Sequence, residues 1–417
     1  MSLSTRVLLA LGAGIAAGLA LSVSQSSATH AVVAIVEPVG TLFIAAIRMT
    51  VIPLVVSSLI VGIAAAENGA DLARLGGRGI VLFVVLLFAS GIVAALVAPP
   101  VLAHVSLDPS AVASLRSARS APQVANAGAA VQTPGQWVAA LVPANAVQAA
   151  VDGAMLPLII FALLLGLGLL RVPAARREGI VAILRGVAAA MLVIVEWLLV
   201  VAPIGVFALV LPLVARLGFS AIGALATYVV LVSVAAFAFM IVVIYPAAVW
   251  AGRVSLRRFA RAALPAQAVA FSSRSSIAAL PALIETARTR LGLPDEVATF
   301  FLPLASALFR AGASLGLVTG CLFVARLYGI AIGPSQLATL VVTSVFTSFG
   351  IPGIPGGSVF AMVPVLTSVG LPIEGVGILL GVDTIPDIFR TTTNVTGQLA
   401  TAAIVGRDRR SPIDARE

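Results

Sequence analysis

Long stretches of this chain carry no charged side chain, and this feature limits its fold more than any other. Residues 219–251, for example, contain no Asp, Glu, Lys or Arg. A helix of about 20 apolar residues can cross the hydrocarbon core of a bilayer, which is roughly 30 Å thick. Since 60% of the residues are hydrophobic and only 10% are charged, the sequence predicts an all-α integral membrane protein. It shows no alternating segments of about ten residues, which a transmembrane β-barrel requires.

The placement of the arginines indicates how the chain is oriented in the membrane. The sequence contains no lysine, and its arginines lie in short loops between apolar runs rather than on one element. That scatter argues against nucleic-acid binding and fits the rule that cytoplasmic loops of membrane proteins are basic. We therefore expect both termini in the cytoplasm. The apolar runs are residues 6–24, 40–66, 78–103, 152–172, 183–216 and 219–251.

One apolar stretch near the C-terminus carries a polar stripe. Its members are Asp383, Asp387, Arg390, Asn394 and Gln398, and spacings of four, three, four and four place them on one helical face. Lipid cannot face this stripe, because an ionisable group at the bilayer centre costs roughly 2.5–3.5 kcal/mol on insertion scales. The stripe is therefore expected to line a hydrated cavity within the protein. Polar residues kept at such a cost indicate a solute-binding site.

Two segments in the last third are apolar but interrupted. Residues 262–288 form two short arms around the sequence SSRSS at 272–276, and residues 335–370 form two arms around a Gly- and Pro-rich stretch at 350–358. Irregular backbone at membrane depth is tolerated only where protein or a water-filled cavity surrounds it. We therefore expect two re-entrant hairpins. Paired interrupted segments of this kind are typical of a transporter's binding site.

These segments together resemble the dicarboxylate/amino acid:cation symporter family, to which the glutamate transporters belong. The matching stretches are residues 48–54 (RMTVIPL), 202–207 (APIGVF), 272–276 (SSRSS), 352–357 (PGIPGG) and 383–397 (DTIPDIFRTTTNVTG). The resemblance implies eight transmembrane helices plus two re-entrant helical hairpins in an elevator-type glutamate transporter fold. It also implies a homotrimer in the bacterial cytoplasmic (inner) membrane.

The resemblance further implies how the chain divides into domains. Scaffold spans 1 and 2 fall in residues 1–77, and span 3 of the transport domain in 78–103. Residues 104–250 hold span 4, an extracytoplasmic insertion at 104–144, and spans 5 and 6. Residues 251–417 form the transport-domain core. Within that core we expect hairpin 1 at about 262–288, span 7 at about 297–328, hairpin 2 at about 335–370 and span 8 at about 371–405.

Substrate-binding roles follow from the resemblance, position by position. Asp387 matches the acid that binds an α-ammonium group, and Arg390 matches the guanidinium that grips a side-chain carboxylate. Thr391 and Asn394 match groups at the amino and α-carboxylate ends of the substrate. The remaining predicted binding residues lie at the hairpin tips: Arg274, Ser275 and Ser276 at the first, which cradles a carboxylate, and Gly356 and Gly357 at the second, which acts as a gate.

The seventh span departs from the family. Sodium-coupled members carry an Asn-Met-Asp-Gly-Thr motif where this chain has residues 309–313, FRAGA, and Gln398 replaces an acid of one sodium site. Since sodium needs several oxygen ligands, we predict transport without sodium, with no metal site and no cofactor. Arg310 then either acts as a tethered surrogate for the missing cation and holds the carbonyls of an unwound seventh span, or lines a hydrated interface, or pairs with Asp383. Ser348 is a further candidate for the coupling site.

The sequence therefore predicts a secondary transporter for aspartate or glutamate, not an enzyme. Coupling is to protons, with Asp383, Asp387 or Glu196 as carrier, or is absent, as in exchange. A C4-dicarboxylate transporter and a sodium-coupled symporter of the same family are the alternatives. A non-transporting sensor and an anion channel belong to other functional classes. The partners expected are a small anionic amino acid, the lipid bilayer and further copies of the chain.

Overall fold

A computed structural model describes residues 3–24, 27–64, 70–105, 142–152, 154–351 and 356–407. These residues are largely helical and contain no β-strand. Residues 106–141, most of the predicted insertion, lie outside the described residues, as do residues 352–355, where the sequence predicts the tip of a second hairpin. The predicted all-α membrane protein is confirmed at this level. Six of the described helices are long and apolar enough to cross a membrane: 5–22, 31–61, 76–103, 174–216, 221–250 and 297–327.

The N-terminal half consists of long helices. They are α1 (Leu3–Ser24), α2 (Ser27–Ala64), α3 (Ala70–Ala103), α4 (Ala146–Val151), α5 (Met155–Leu169), α6 (Ala174–Leu217) and α7 (Phe219–Phe239). Helix α7 continues through a π-helical turn, Met240–Ile244, into α8 (Tyr245–Trp250). Helices α1 and α2 both pack along α6, and α5 packs against α2. Helices α2 and α6 begin before the apolar runs at 40–66 and 183–216, because flanking polar residues can continue a helix beyond the hydrocarbon.

The C-terminal half consists of shorter, interrupted helices. They are α9 (Leu256–Ser273), α10 (Leu280–Thr289), a π-helical turn (Val297–Phe301), α11 (Leu302–Leu308), α12 (Ala311–Leu327), α13 (Pro334–Ser348), α14 (Gly357–Phe360), α15 (Met362–Ser368), α16 (Gly375–Val382) and α17 (Thr384–Val405). Helix α12 is buried along nearly its whole length and packs against α3, α7, α13 and α17. It therefore forms the centre of this half.

Three chain breaks lie beside the first and middle turns of α17. Helix α9 ends at Arg274, which adopts a left-handed conformation with φ +54°. Helices α11 and α12 are separated by Phe309, whose backbone is extended, and by Arg310, whose backbone is also not helical. Helices α16 and α17 meet at Asp383. Each break frees backbone groups that a continuous helix would use internally, so polar side chains must satisfy them.

Candidate functional site

Helix α17 positions a buried ion-pair cluster. The guanidinium of Arg390 donates to Asp383 Oδ1 at 2.6 Å and to Asp387 Oδ1 at 3.3 Å. The Arg390 side chain is only 1% exposed. One turn after Asp387, the hydroxyl of Thr391 lies 3.5 Å from Asp387 Oδ1. The four-three spacing seen in the sequence thus places both acids beside one guanidinium.

Asp387 connects both interrupted segments to α17. The backbone N–H of Gly356, just before α14 in the predicted second hairpin, donates to Asp387 Oδ2 at 3.3 Å. The guanidinium of Arg274, at the predicted tip of the first hairpin, lies 4.0 Å from the same oxygen. Both Asp387 oxygens therefore lie beside positively charged or N–H groups.

Helix α12 approaches α17 through its backbone. The N–H of Gly312 donates to Asn394 Oδ1 at 2.8 Å, just beyond the break between α11 and α12. A side chain at Gly312 would collide with the backbone oxygen of Arg390, and a Cβ at Gly316 would lie 2.5 Å from Arg390 Cδ. Close approach of the two helices therefore depends on glycine at these two positions.

Arg310 lies in the break itself. Its guanidinium donates to the carbonyl oxygens of Ala307 at 2.6 Å and of Ser306 at 3.0 Å. The residue is 3% exposed. Among the described residues Arg310 forms no ion pair. Asp383 pairs with Arg390 instead, so the predicted alternative of an Arg310–Asp383 pair is not seen. A cation thus satisfies carbonyls that the end of α11 leaves without helical partners.

Gln398 completes the lining of this break from α17. Its amide nitrogen donates to the carbonyl oxygen of Phe309 at 3.1 Å, and its amide oxygen accepts from Ser306 Oγ at 3.2 Å. Ser348, on α13, is buried and donates within its own helix to the carbonyl of Ser344 at 2.7 Å. Among the described contacts, Gln398 is therefore joined to the seventh span, and Ser348 is not.

A small cavity lies at the centre of these elements. Its volume is about 20 Å³, which is room for about one water molecule. The cavity is lined by Arg274, Ser276, Arg310, Ala313, Ile351, Ser358, Asp387, Arg390, Thr391 and Asn394. An amino acid would fit only after some of these residues move apart.

Not every residue singled out in the sequence lines this cavity. Ser275 accepts from the backbone of Ala278 at 3.2 Å and so shapes the first hairpin tip. Gly357 lines a separate small space between the second hairpin and helices α2 and α6. Sequence reasoning missed Ser358 and Ile351. Ser358 could have been found, because it follows the Gly-rich tip as Ser275 and Ser276 follow the first tip.

The cluster carries more positive than negative charge. Arg274, Arg310 and Arg390 contribute three positive charges, and Asp383 and Asp387 contribute two negative charges. The net charge of these five groups is therefore +1. An amphoteric molecule with two carboxylates and one ammonium carries one negative charge and would neutralise the cluster.

Comparison with known proteins identifies the family of this chain. A model of the sodium:dicarboxylate symporter family matches residues 3–408. The chain belongs to that family. The resemblance inferred from the sequence is thereby confirmed, and the family consists of membrane transporters rather than enzymes.

Three relatives show the range of named activities. A proton/glutamate-aspartate symporter of Escherichia coli (strain K12) is 34% identical over 97% of this chain and 92% of its own. A proton/sodium-glutamate symport protein of Bacillus subtilis (strain 168) is 32% identical over 89% of this chain and 85% of its own. A C4-dicarboxylate transport protein of Azorhizobium caulinodans is 26% identical over 89% of this chain and 82% of its own. The chain is thus a multi-pass membrane transporter similar to acidic amino acid symporters.

Proposed function

We propose that this transporter carries aspartate or glutamate across the bacterial cytoplasmic membrane without sodium. The observation that carries the proposal is the buried +1 cluster, in which Arg390 lies beside Asp387. A guanidinium is the preferred partner of a carboxylate, and a carboxylate pairs with an ammonium. The two groups side by side select a solute that presents both charges. The E. coli relative, named as a glutamate-aspartate symporter, supports this substrate class.

Each end of the substrate has a partner in this arrangement. The side-chain carboxylate binds Arg390, and the ammonium binds Asp387. The α-carboxylate is received by Asn394 and by the first hairpin tip, where Ser276 lines the cavity. Ala313 occupies a lining position with a methyl group, so it gives the side-chain carboxylate no hydrogen bond. Arg390 therefore supplies most of the discrimination for an acidic side chain.

The second hairpin acts as the gate. The bond from the Gly356 N–H to Asp387 Oδ2 occupies an oxygen that the substrate ammonium needs. The cavity holds about one water molecule while that bond is present. Movement of the second hairpin tip away from Asp387 would free the oxygen and enlarge the cavity together. Substrate then replaces the Gly356 contact.

Arg310 makes sodium unnecessary. It donates to two carbonyl oxygens at the end of α11, and the side-chain amide of Gln398 donates to the carbonyl of Phe309 in the break. Sodium sites depend on such oxygens, which protein groups occupy here. A fixed positive charge then supports the anionic substrate. Proton coupling, as named for the E. coli relative, is the corresponding energy source.

The proposed architecture has eight spans, two re-entrant hairpins and an elevator motion in a homotrimer with cytoplasmic termini. Helices α1, α2 and α6, which pack on one another, correspond to scaffold elements. Helices α3, α7 and α9–α17 contain the site and correspond mainly to the moving domain. The interrupted helices α9–α10 and α13–α15, which both contact the cluster, support the hairpin assignment.

Calorimetry on the purified full chain tests this function. We expect aspartate to bind equally, within threefold, in sodium and in choline buffers, and succinate and serine to compete at least tenfold less well. A tenfold gain of affinity with sodium would contradict the role of Arg310. Tighter binding of succinate would instead favour a C4-dicarboxylate transporter. Counterflow of labelled aspartate into proteoliposomes then separates a transporter from a sensor, which binds without exchange.

A further inference from the structure

A second group of buried polar atoms lies outside the cavity lining. Tyr228 Oη, Thr319 Oγ1, Asp383 Oδ2 and Arg390 Nε are all buried and have no hydrogen-bond partner among the described residues. Of these four residues, only Arg390 lines the cavity. Buried polar atoms in proteins are nearly always bonded, either to protein or to ordered water. Four such atoms therefore point to a bound species, provided that they lie together.

Helix pairing places Tyr228 near the start of α17. Thr393 Oγ1 donates to the carbonyl of Ala236 at 3.0 Å, and Thr396 Oγ1 lies 3.3 Å from Met240 Sδ. Residue numbers rise together on both helices, so α7 and α17 run parallel. Tyr228 lies two turns before Ala236. It is therefore level with the first turn of α17, where the acidic stripe begins.

Helix pairing places Thr319 at the same level. Gly312 bonds to Asn394, whereas a Cβ at Gly320 would lie 3.3 Å from Leu379. Residue numbers on α12 rise as those on α16 and α17 fall, so the helices run antiparallel. Thr319 lies between these two contacts, near the second of them. It is therefore opposite the junction between α16 and α17, which is Asp383.

A ring contact supports this placement. The Tyr228 ring packs with its centroid 5.0 Å from that of Phe323, which lies one turn beyond Thr319 on α12. The helix pairings and this contact thus place the second oxygen of Asp383 and the hydroxyl groups of Tyr228 and Thr319, all on buried residues, at the same level of the helix packing.

We propose that Asp383, Tyr228 and Thr319 form a proton-binding site that is separate from the substrate cavity. The proposal deepens the proposed function and rests on it. A proton from water forms an O–H bond at Asp383 Oδ2, and the new hydroxyl donates to the Tyr228 oxygen, directly or through one buried water. Thr319 takes the remaining hydrogen bond. Release breaks the same O–H bond and returns the proton to water.

The contacts of the two acids distinguish the proton carrier. Both oxygens of Asp387 face donors, which are Arg390, Gly356 and Arg274. A proton on Asp387 would have to displace one of these contacts. Asp383 has only Oδ1 in an ion pair, with Arg390 at 2.6 Å, and its buried Oδ2 has no partner among the described residues. The hydroxyl groups placed at its level can accept a hydrogen bond as well as donate one.

Substrate binding would load this site. The ionisable groups whose charges act on the Asp383 region are Arg390 and Asp387 on α17, Tyr228 on α7, Cys321 on α12 and Arg274 at the first hairpin. When a substrate carboxylate engages Arg390, that guanidinium is shared among three anions, and Asp383 loses part of its counter-charge. A proton on Asp383 then replaces this lost counter-charge. The loaded cluster, with substrate and proton, regains the net charge of +1 that the unloaded cluster carries.

Proteoliposomes with a trapped pH-sensitive dye test the proposal. Wild-type protein should take up one proton per aspartate. Asp383→Asn should lower protons per aspartate at least tenfold, with counterflow of labelled aspartate measured in the same vesicles as the reference. One proton per aspartate in this variant would overturn the proposal. Absence of aspartate exchange by the wild type would instead contradict the proposed function.

Tyr228→Phe and Thr319→Val provide a test that does not disturb the ion pair. Each removes one unbonded oxygen, so a merely structural role predicts no change in pH dependence. We expect each to shift the pH of half-maximal uptake by at least half a unit. Tyr245→Phe and Thr401→Val are matched controls, since both hydroxyls already have partners, at 3.1 Å from Gln267 Nε2 and at 2.9 Å from the carbonyl of Gly397. An unshifted profile in the Tyr228→Phe/Thr319→Val double variant would overturn the proposal.

Discussion

The side-chain amide of Gln398 donates to the carbonyl oxygen of Phe309 at 3.1 Å, so α17 closes the break between α11 and α12. Arg310 closes the same break from within, through two carbonyl oxygens of α11. The carbonyls at this break are thus held by protein N–H groups. Under the proposed function the cation is therefore part of the chain rather than part of the transported cargo, and the consequences of this proposal can be measured.

Replacing Arg310 should weaken substrate binding through the seventh span. Arg310→Met removes two charge-assisted hydrogen bonds, each worth about 1.5–3 kcal/mol, and one positive charge near the cavity. We expect aspartate affinity to fall at least tenfold, which corresponds to about 1.4 kcal/mol. Calorimetry on the purified variant measures the change.

Arg326→Met is the matched control for this experiment. Arg326 also donates to a backbone carbonyl, that of Val105 at 2.7 Å, but it does not line the cavity. Its replacement should leave aspartate affinity unchanged. If Arg310→Met folds normally and binds aspartate as the wild type does, the tethered cation has no part in binding.

Asp387→Asn should change the class of substrate that is preferred. The single asparagine oxygen can still accept from either the Gly356 N–H or Thr391, which bond to different oxygens of Asp387, but the partner of the substrate ammonium is lost. The net charge of the cluster rises by one unit, to a value that a dianion neutralises. Aspartate affinity should therefore fall at least tenfold while succinate affinity holds or rises, as measured by competition binding. Glu196→Gln, which replaces an exposed acid on α6, should change neither affinity. A parallel fall in the affinities of Asp387→Asn for aspartate and for succinate would contradict the assigned contact.

The glycine at position 316 should be intolerant of even a methyl group. In Gly316→Ala the new Cβ would lie 2.5 Å from Arg390 Cδ and 2.9 Å from its Nη1, which forces the guanidinium away from Asp383. Aspartate binding should weaken at least tenfold. Gly223→Ala, on α7 with nothing within 4 Å of its Cβ, should instead stabilise the helix by up to about 1 kcal/mol. Equal binding by the two variants would show that Arg390 adapts freely.

The sequence predicted the parts of the site that depend on local periodicity. The spacing along α17 placed Asp383, Asp387, Arg390 and Asn394 on one face because a helix has a fixed repeat. The interrupted segments are predicted because clusters of glycine, proline, serine or arginine divide each of them into two arms that are too short to cross the bilayer. Family resemblance then supplied the roles of these residues, and those roles stay predictions.

Other features depend on which helices meet, and periodicity contains no such information. Tyr228 and Thr319 lie in apolar runs, where a tyrosine or threonine normally packs in the core or bonds within its own helix. Their placement at the level of Asp383 depends on α7 running parallel to α17 and on α12 running antiparallel to it. For Arg310, the sequence predicted contact with the carbonyls of an unwound seventh span, but the two carbonyl oxygens that it meets depend on the non-helical backbone at the break.

Gln398→Leu should destabilise the fold as well as the site. The substitution leaves Ser306 Oγ and the Phe309 carbonyl buried without their partners, and each unsatisfied group costs about 1–3 kcal/mol. The melting temperature of the detergent-purified protein should fall by several degrees, and aspartate should restore only part of the loss because the break itself has loosened. Gln148→Leu is the control, since Gln148 bonds to Asp152 at an exposed position and should leave the melting temperature unchanged. A Gln398→Leu protein as stable as the wild type would mean that water replaces the amide in the break, and the seventh span would then need no support from α17.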